Sequence, residues 1–67
     1  MEAKKLKDLK PGAFFTRKPI EEPKENQVYL RGAYDRAQKK YECTNFGDMN
    51  KVIYLKGETI VYQGFTF

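Results

Sequence analysis

One stretch of the chain combines cations and tyrosines in a pattern suited to binding nucleic acid. Tyr29 and Arg31 are two residues apart, so in a strand they project from the same face. Arg36, Lys39 and Lys40 follow at the tip of a predicted hairpin. Small β-sheets bind single strands by stacking bases on exposed aromatic rings beside Lys and Arg, at about 1–3 kcal/mol per base. The sequence therefore predicts these side chains as nucleic-acid contacts.

The same stretch also has a purely structural interpretation. Tyr34 and Tyr41 would face each other across the hairpin and pack as part of the core. The lysines and arginines would then be solvated charges that protect the sheet edge from aggregation. The residues alone leave both interpretations open.

Catalysis is not expected from this composition. The chain has no histidine, the commonest general base and zinc ligand near neutral pH. Its single cysteine, Cys43, lies in the middle of a predicted strand, where a buried and inert thiol is the usual role. No phosphate-binding glycine motif and no spacing of acidic residues typical of a metal site occurs. We therefore predict no enzyme activity, no cofactor, no metal site and no small-molecule substrate.

Charge and hydropathy indicate a protein of the cytoplasm. The net charge of +4 arises from 13 basic and 9 acidic residues, and the excess lies before residue 41. Such a charge attracts phosphate or an acidic protein, but it also serves ordinary solubility. No apolar run approaches the ~18 residues that a membrane span requires, and the basic start lacks the apolar segment of a signal peptide. A lone cysteine fits a reducing compartment, so the cytoplasm is the expected location and no membrane partner is predicted.

The first half of the chain predicts a helical turn, a β-turn, a strand and a loop. Residues 2–8 are good helix formers that Pro11 and Gly12 stop, with Leu6 and Leu9 placed to hold this turn against the body. Residues 13–15 begin extended structure after the Pro-Gly turn. Two prolines make residues 16–26 a loop, which is long for so small a domain.

The remainder predicts successive short strands. Residues 27–34 and 40–46 alternate around a turn that starts at Asp35, and Gly32 indicates a bulge or bend. Residues 52–55 and 59–62 flank a tight turn, where Gly57 would take the positive-φ position of a hairpin. The sequence thus predicts a single domain over 1–67, a mainly β fold of five or six short strands with an N-terminal helical turn. We expect an antiparallel curled sheet or a partly open barrel of SH3-like or OB-like kind.

The last two predicted strands are apolar on both faces, and such strands need cover on both sides. The N-terminal turn could supply this cover within the chain, or a second copy or partner protein could supply it from outside. The leading functional prediction is therefore a small binding module for protein interaction or self-association, with nucleic-acid binding as the alternative. The candidate protein contacts on this C-terminal hairpin are Tyr54, Val61 and Phe67.

Three segments together, LKDLKPGAFF, YLRGAYDRAQKKYECTNFGDMN and YLKGETIVYQGFTF, span most of the chain. In pattern they resemble a set of very short gut-bacterial proteins of unassigned activity, often associated with phages or mobile elements. The resemblance implies a complete small protein in a non-enzymatic accessory role, such as binding a host protein or a nucleic acid. It assigns no role to any residue.

Overall fold

Residues 1–66, the part of the chain that the computed structural model describes, contain six strands and two short 3-10 turns joined by loops. The strands form one antiparallel sheet in the order β1-β6-β2-β3-β4-β5, which confirms the mainly β prediction. The 3-10 turns cover Leu6–Asp8 and Glu25–Gln27. The strands are β1 (Glu2–Lys5), β2 (Phe14–Thr16), β3 (Val28–Asp35), β4 (Lys40–Asn45), β5 (Val52–Leu55) and β6 (Ile60–Gln63).

The N-terminal segment differs partly from its prediction. A helical turn is present, but it is confined to Leu6–Asp8, and the residues before it form β1 along β6. All four β1 residues are exposed, so they show no alternation from which a strand could be predicted. Leu6 and Leu9 are buried, as predicted, and hold the turn against the sheet.

The core lies on one face of the sheet. The Phe15 and Tyr29 rings stack there with centroids 5.9 Å apart, and Cys43 and Val61 are buried beside them. Ile53 and Leu55 of β5 pack against this cluster from the sheet edge. Apolar side chains from both ends of the strand order thus meet, as expected for a strongly curled sheet that remains open.

The predicted C-terminal hairpin does not form. β5 pairs only with β4, whereas β6 pairs with β1 and β2, so the chain crosses from one side of the sheet to the other over residues 56–59. The 3-10 turn bridges this crossing, since the Leu6 and Lys7 N–H groups donate to the Thr59 and Gly57 carbonyls at 2.9 and 3.0 Å. Gly57 is therefore not the positive-φ residue of a hairpin; in the described chain that conformation occurs at Gly12, Lys39 and Gly64.

The bulge expected at Gly32 is present and decides which side chains of β3 share a face. Arg31 lies opposite Cys43 and Tyr34 lies opposite Tyr41, so two residues of β3, Gly32 and Ala33, correspond to the single residue Glu42 of β4. A Cβ atom at Gly32 would lie 2.6 Å from the Glu42 carbonyl oxygen, which explains why the bulge needs glycine there. As a result Arg31 and Tyr34, which strict alternation places on opposite faces, project to the same side.

Candidate functional site

The bulge in β3 assembles a cluster of two tyrosines and an arginine at one end of the sheet. The Tyr34 and Tyr41 rings meet edge to face, with centroids 5.0 Å apart. The Arg31 guanidinium lies over the Tyr41 ring, with its carbon 4.1 Å from the ring centroid, in cation–π geometry. Tyr34 is 47% exposed and Tyr41 is half-buried, so this aromatic surface is accessible to a ligand.

A groove of about 570 Å³ opens beside the two tyrosines. Its second wall is the crossing between β5 and β6, together with the adjoining 3-10 turn. We call this region the open end, and define it by the residues that line its groove: Lys7, Tyr34, Gln38, Lys39, Tyr41, and 56–58. Because the crossing replaces a hairpin, it brings cations from distant parts of the sequence to the aromatic pair.

Part of the positive charge at the open end is neutralised. The Glu58 carboxylate lies 2.6 Å from the Lys7 ammonium and 3.0 Å from that of Lys5. The hydrogen bond from Lys7, followed by that from Lys5, lowers the pKa of Glu58 below its ordinary value. The same hydrogen bond with Glu58 raises the pKa of Lys7. Both partners are therefore charged at neutral pH.

The remaining cations at this end are unneutralised. Lys39 and Lys56 line the groove, and Arg36 and Lys40 lie in or next to the β3–β4 turn. Within residues 1–66, none of these four has a carboxylate within ion-pair distance. An anionic ligand could therefore bind these cations without breaking an existing ion pair. This makes the open end electrostatically suited to anions.

The β3–β4 turn holds its cations in a defined place. The Asp35 carboxylate accepts hydrogen bonds from the Ala37 N–H and the Gln38 side-chain amide, both at 2.9 Å. The hydrogen bond from the Gln38 side chain is the largest cause of the lowered pKa of Asp35. Lys39 adopts a φ of +56°, which closes the turn. The start of the turn at Asp35 agrees with the sequence prediction.

The opposite end of the sheet, the closed end, is organised by one buried amide. Asn45 donates from Nδ2 to the Asn26 carbonyl at 2.8 Å, and its Oδ1 accepts from the Gly47 and Asp48 N–H groups at 3.0 and 3.1 Å. The closed end is defined here as Asn45 and the backbone that it binds, residues 26 and 47–48. Sequence analysis missed Asn45, since a polar residue in a strand carries no local sign of such a role.

The predicted nucleic-acid contacts are divided between the two ends. Lys39 lines the groove of the open end, Arg36 and Lys40 lie in or next to the turn beside it, and Arg31 lies over the Tyr41 ring. Tyr29 is not part of this region. It is only 6% exposed, stacked on Phe15, and reaches a separate cavity of about 380 Å³ near Asn26. The prediction that Tyr29 projects from an outward face is therefore wrong, because β3 turns that face into the core.

Tyr34 and Tyr41 provide the exposed aromatic surface that sequence analysis assigned to Tyr29. Their cross-strand pairing is confirmed, but Tyr34 is not buried as core. Lys7 and Lys56 were also missed. Gly32 indicated a bulge, from which a change in the face of Tyr34 could have been predicted. No local sequence pattern indicates that Lys7 and Lys56 come together.

The predicted protein contacts do not form one surface. Tyr54 is 40% exposed on β5, whereas Val61 is fully buried in the core and cannot act as a surface contact. Its burial follows from the central position of β6 between β1 and β2. Phe67 lies outside the described residues.

Cys43 is unsuited to nucleophilic chemistry. Its side chain is fully buried, and this burial raises the pKa of the thiol from 9.0 to about 11. The nearby Arg31 opposes this shift only in part. The thiol is therefore protonated at neutral pH, whereas the thiolate is the reactive form.

Residues 1–66 contain no group of three cysteine, aspartate or glutamate side chains placed to hold a metal ion. In the same residues, no helix is both long and apolar enough to cross a membrane. Comparison with protein-family models, curated proteins and solved structures finds no match to this chain. The geometry of the open end is therefore the main indication of function.

Proposed function

We propose that this protein is a small non-enzymatic binding module, and that its ligand at the open end is single-stranded nucleic acid. The observation that carries the proposal is the accessible Tyr34–Tyr41 pair beside cations that have no acidic partner. Stacking platforms next to positive charge are the common feature of proteins that bind single strands without reading their sequence.

The aromatic part of the site favours a single strand over a duplex. Tyr34 projects from the sheet at the rim of the groove, where an unstacked base could lie against its ring. Bases in a duplex are already stacked on each other and expose only their edges in the grooves. An open strand presents its base faces, which is what tyrosine rings bind.

The charged part of the site would bind the phosphates. Lys39 and Lys56 approach the groove from separate segments, and Arg36 and Lys40 extend the positive surface along the turn. Arg31 contributes mainly by holding the Tyr41 ring, since its guanidinium is already over that ring. Each neutralised phosphate releases counterions, so affinity should fall steeply as salt rises.

The proposal is tested by fluorescence anisotropy of a labelled oligothymidine of roughly ten nucleotides, within the site sizes of small β-barrels. We expect binding at about 50 mM salt that is strongly weakened at about 200 mM, and weaker binding of a duplex. Tyr34→Leu should reduce affinity by about tenfold, the loss of one stacked base. Lys39→Gln should reduce both affinity and its salt dependence.

Matched controls lie elsewhere on the surface. Tyr54 is exposed to nearly the same degree as Tyr34 but lies outside the groove, so Tyr54→Leu should leave oligonucleotide affinity unchanged. Lys18→Gln serves as the corresponding control for Lys39. Absence of binding at the lower salt, or equal losses in Tyr34→Leu and Tyr54→Leu, would refute the proposal.

A further inference from the structure

The two edges of the sheet differ in a way that points to a second binding site. β1 forms one edge, and three of its four residues are charged, which is how proteins protect an exposed edge. β5 forms the other edge and consists of Val52, Ile53, Tyr54 and Leu55. This second edge carries none of the usual protection within the strand itself.

The hydrogen-bonding phase of β5 identifies which backbone groups face outward. The Asn45 N–H donates to the Lys51 carbonyl at 2.9 Å, which makes this facing pair a hydrogen-bonded one. In an antiparallel ladder, hydrogen-bonded pairs alternate with non-hydrogen-bonded pairs. Since Lys51 belongs to a hydrogen-bonded pair, Ile53 and Leu55 do so too, and their backbone N–H and C=O groups face β4.

Val52 and Tyr54 therefore direct their N–H and C=O groups away from the sheet. Within residues 1–66, neither residue takes part in a backbone or side-chain hydrogen bond across this edge. Their side chains are also exposed on the outer face. Backbone groups aligned in this way are the template on which an extended peptide adds as a further strand.

The charges next to β5 distinguish between occupants. Lys51 and Lys56 lie immediately before and after the strand, and both are exposed. In an antiparallel pair of two β5 edges, only residues with outward backbone groups can form hydrogen-bonded pairs, so Val52 or Tyr54 would have to pair with Val52 or Tyr54 of the second copy. A second copy would then add two further lysines next to Lys51 and Lys56 and no carboxylate within its β5, whereas acidic residues at the ends of an added segment would neutralise both lysines.

We propose that the β5 edge binds an extended segment of a partner protein, with apolar or β-branched residues at its centre and acidic residues at both ends. The central residues would pair with the Val52 and Tyr54 backbone groups, and the acidic ends would meet Lys51 and Lys56. This site is independent of the proposed nucleic-acid function, apart from Lys56, which borders both surfaces.

A labelled peptide of alternating valine and threonine with two glutamates at each end tests the proposal by anisotropy. A peptide with lysines in place of the glutamates is the matched probe, and it should bind at least about tenfold more weakly. Val52→Pro removes one outward N–H at the first position of a strand, where proline is tolerated. It should weaken acidic-peptide binding about tenfold, while Val52→Thr, which keeps the N–H, should not.

Lys51→Glu provides a test that does not depend on how well the proline variant folds. It should weaken binding of the acidic peptide and strengthen that of the lysine peptide. Because Lys51 lies away from the open end, oligonucleotide binding should stay unchanged, which separates the two proposals. Equal binding of both peptides, or insensitivity to both Val52→Pro and Lys51→Glu, would overturn the inference. A concentration-dependent dimer in sedimentation that Val52→Pro abolishes would also overturn it, by assigning the edge to a second copy.

Discussion

The two ends of this sheet use polar side chains for opposite purposes. At the closed end, Asn45 is buried and each of its hydrogen bonds satisfies a backbone group of the same chain. At the open end, Lys39 and Lys56 border a groove without an acidic partner in the described residues. A polar group that is satisfied internally stabilises the fold, whereas one left without a partner is available to a ligand.

Position in the sheet explains this difference. At the closed end β3 and β4 remain in register. The neighbouring loops leave one backbone carbonyl and two N–H groups without a backbone partner, and the Asn45 side chain binds all three. At the open end the bulge at Gly32 shifts the register, and the crossing from β5 to β6 is hydrogen-bonded to the first 3-10 turn instead of to a strand. A domain this small has little core to spare, so its stability should depend mainly on the closed end and its binding on the open end.

Asn45→Leu should have the largest effect on stability. The substitution keeps the branched shape of the side chain but leaves three backbone groups without their hydrogen-bond partner. We expect the free energy of unfolding to fall by about 2–4 kcal/mol, as read from urea denaturation. Asn50→Leu in the adjacent turn is the control and should change it by less than about 0.5 kcal/mol. Equal effects of the two substitutions would show that the closed end has no special role.

Gly32→Ala should have the next largest effect and should act at the open end. The new Cβ would meet the Glu42 carbonyl oxygen, a backbone atom that cannot move aside without disturbing β4. We expect a loss of about 1–3 kcal/mol in unfolding free energy, the usual cost of overpacking. Oligonucleotide affinity should also fall, because the bulge sets the relation between Arg31 and Tyr34.

The exposed neighbour Ala33 provides the control for this substitution. Ala33→Ser should leave both stability and affinity near their wild-type values. If Gly32→Ala lowered stability but left affinity intact in the folded fraction, the link between the bulge and the binding surface would be wrong.

Glu58→Gln should have the smallest effect on stability, with a definite dependence on pH. Because hydrogen bonds from Lys7 and Lys5 lower the pKa of this carboxyl in the folded state, its contribution is present above its ordinary pKa of 4.5. That contribution is lost as pH falls through the lower folded value. The melting temperature of the wild type should therefore decrease more between pH 7 and pH 3 than that of the variant.

The same substitution should raise oligonucleotide affinity, since it frees Lys5 and Lys7 at the open end. Glu22→Gln, in the loop before the second 3-10 turn, removes the same charge elsewhere and is the matched control. If both variants increased affinity equally, net charge and not the geometry of the open end would govern binding.

Much of the local structure could be predicted from residue types. Alternation and the flanking turns placed β3, β4 and β5 within one or two residues of their observed bounds, and Gly32 indicated the bulge. Leu6 and Leu9 were correctly expected to pin the N-terminal turn. These features depend on residues that are close in sequence, which is the information that propensity and hydrophobic periodicity contain.

The faces of β3 could not be predicted in the same way. Val28 and Tyr29 are both buried, so alternation in this strand does not distinguish a core face from an outer one. Tyr29 was consequently predicted to lie on the surface, and the structural interpretation of the hairpin placed Tyr34 in the core, whereas Tyr29 is buried and Tyr34 is exposed. A strand that is covered on both faces at one end gives no local signal of which face becomes a binding surface.

The sequence by itself determined the class of the fold, the positions of most turns and the excess of positive charge before residue 41. Tertiary structure decided how the strands pair. A short turn at 56–58 is compatible with a β5–β6 hairpin, but β6 instead pairs along both of its edges, with β1 and β2. This choice buries Val61, leaves β5 as an open edge and brings Lys7 and Lys56 to the Tyr34–Tyr41 pair. Pairing is decided globally because it depends on the hydrogen bonds and burial of every strand at once, which no local pattern records.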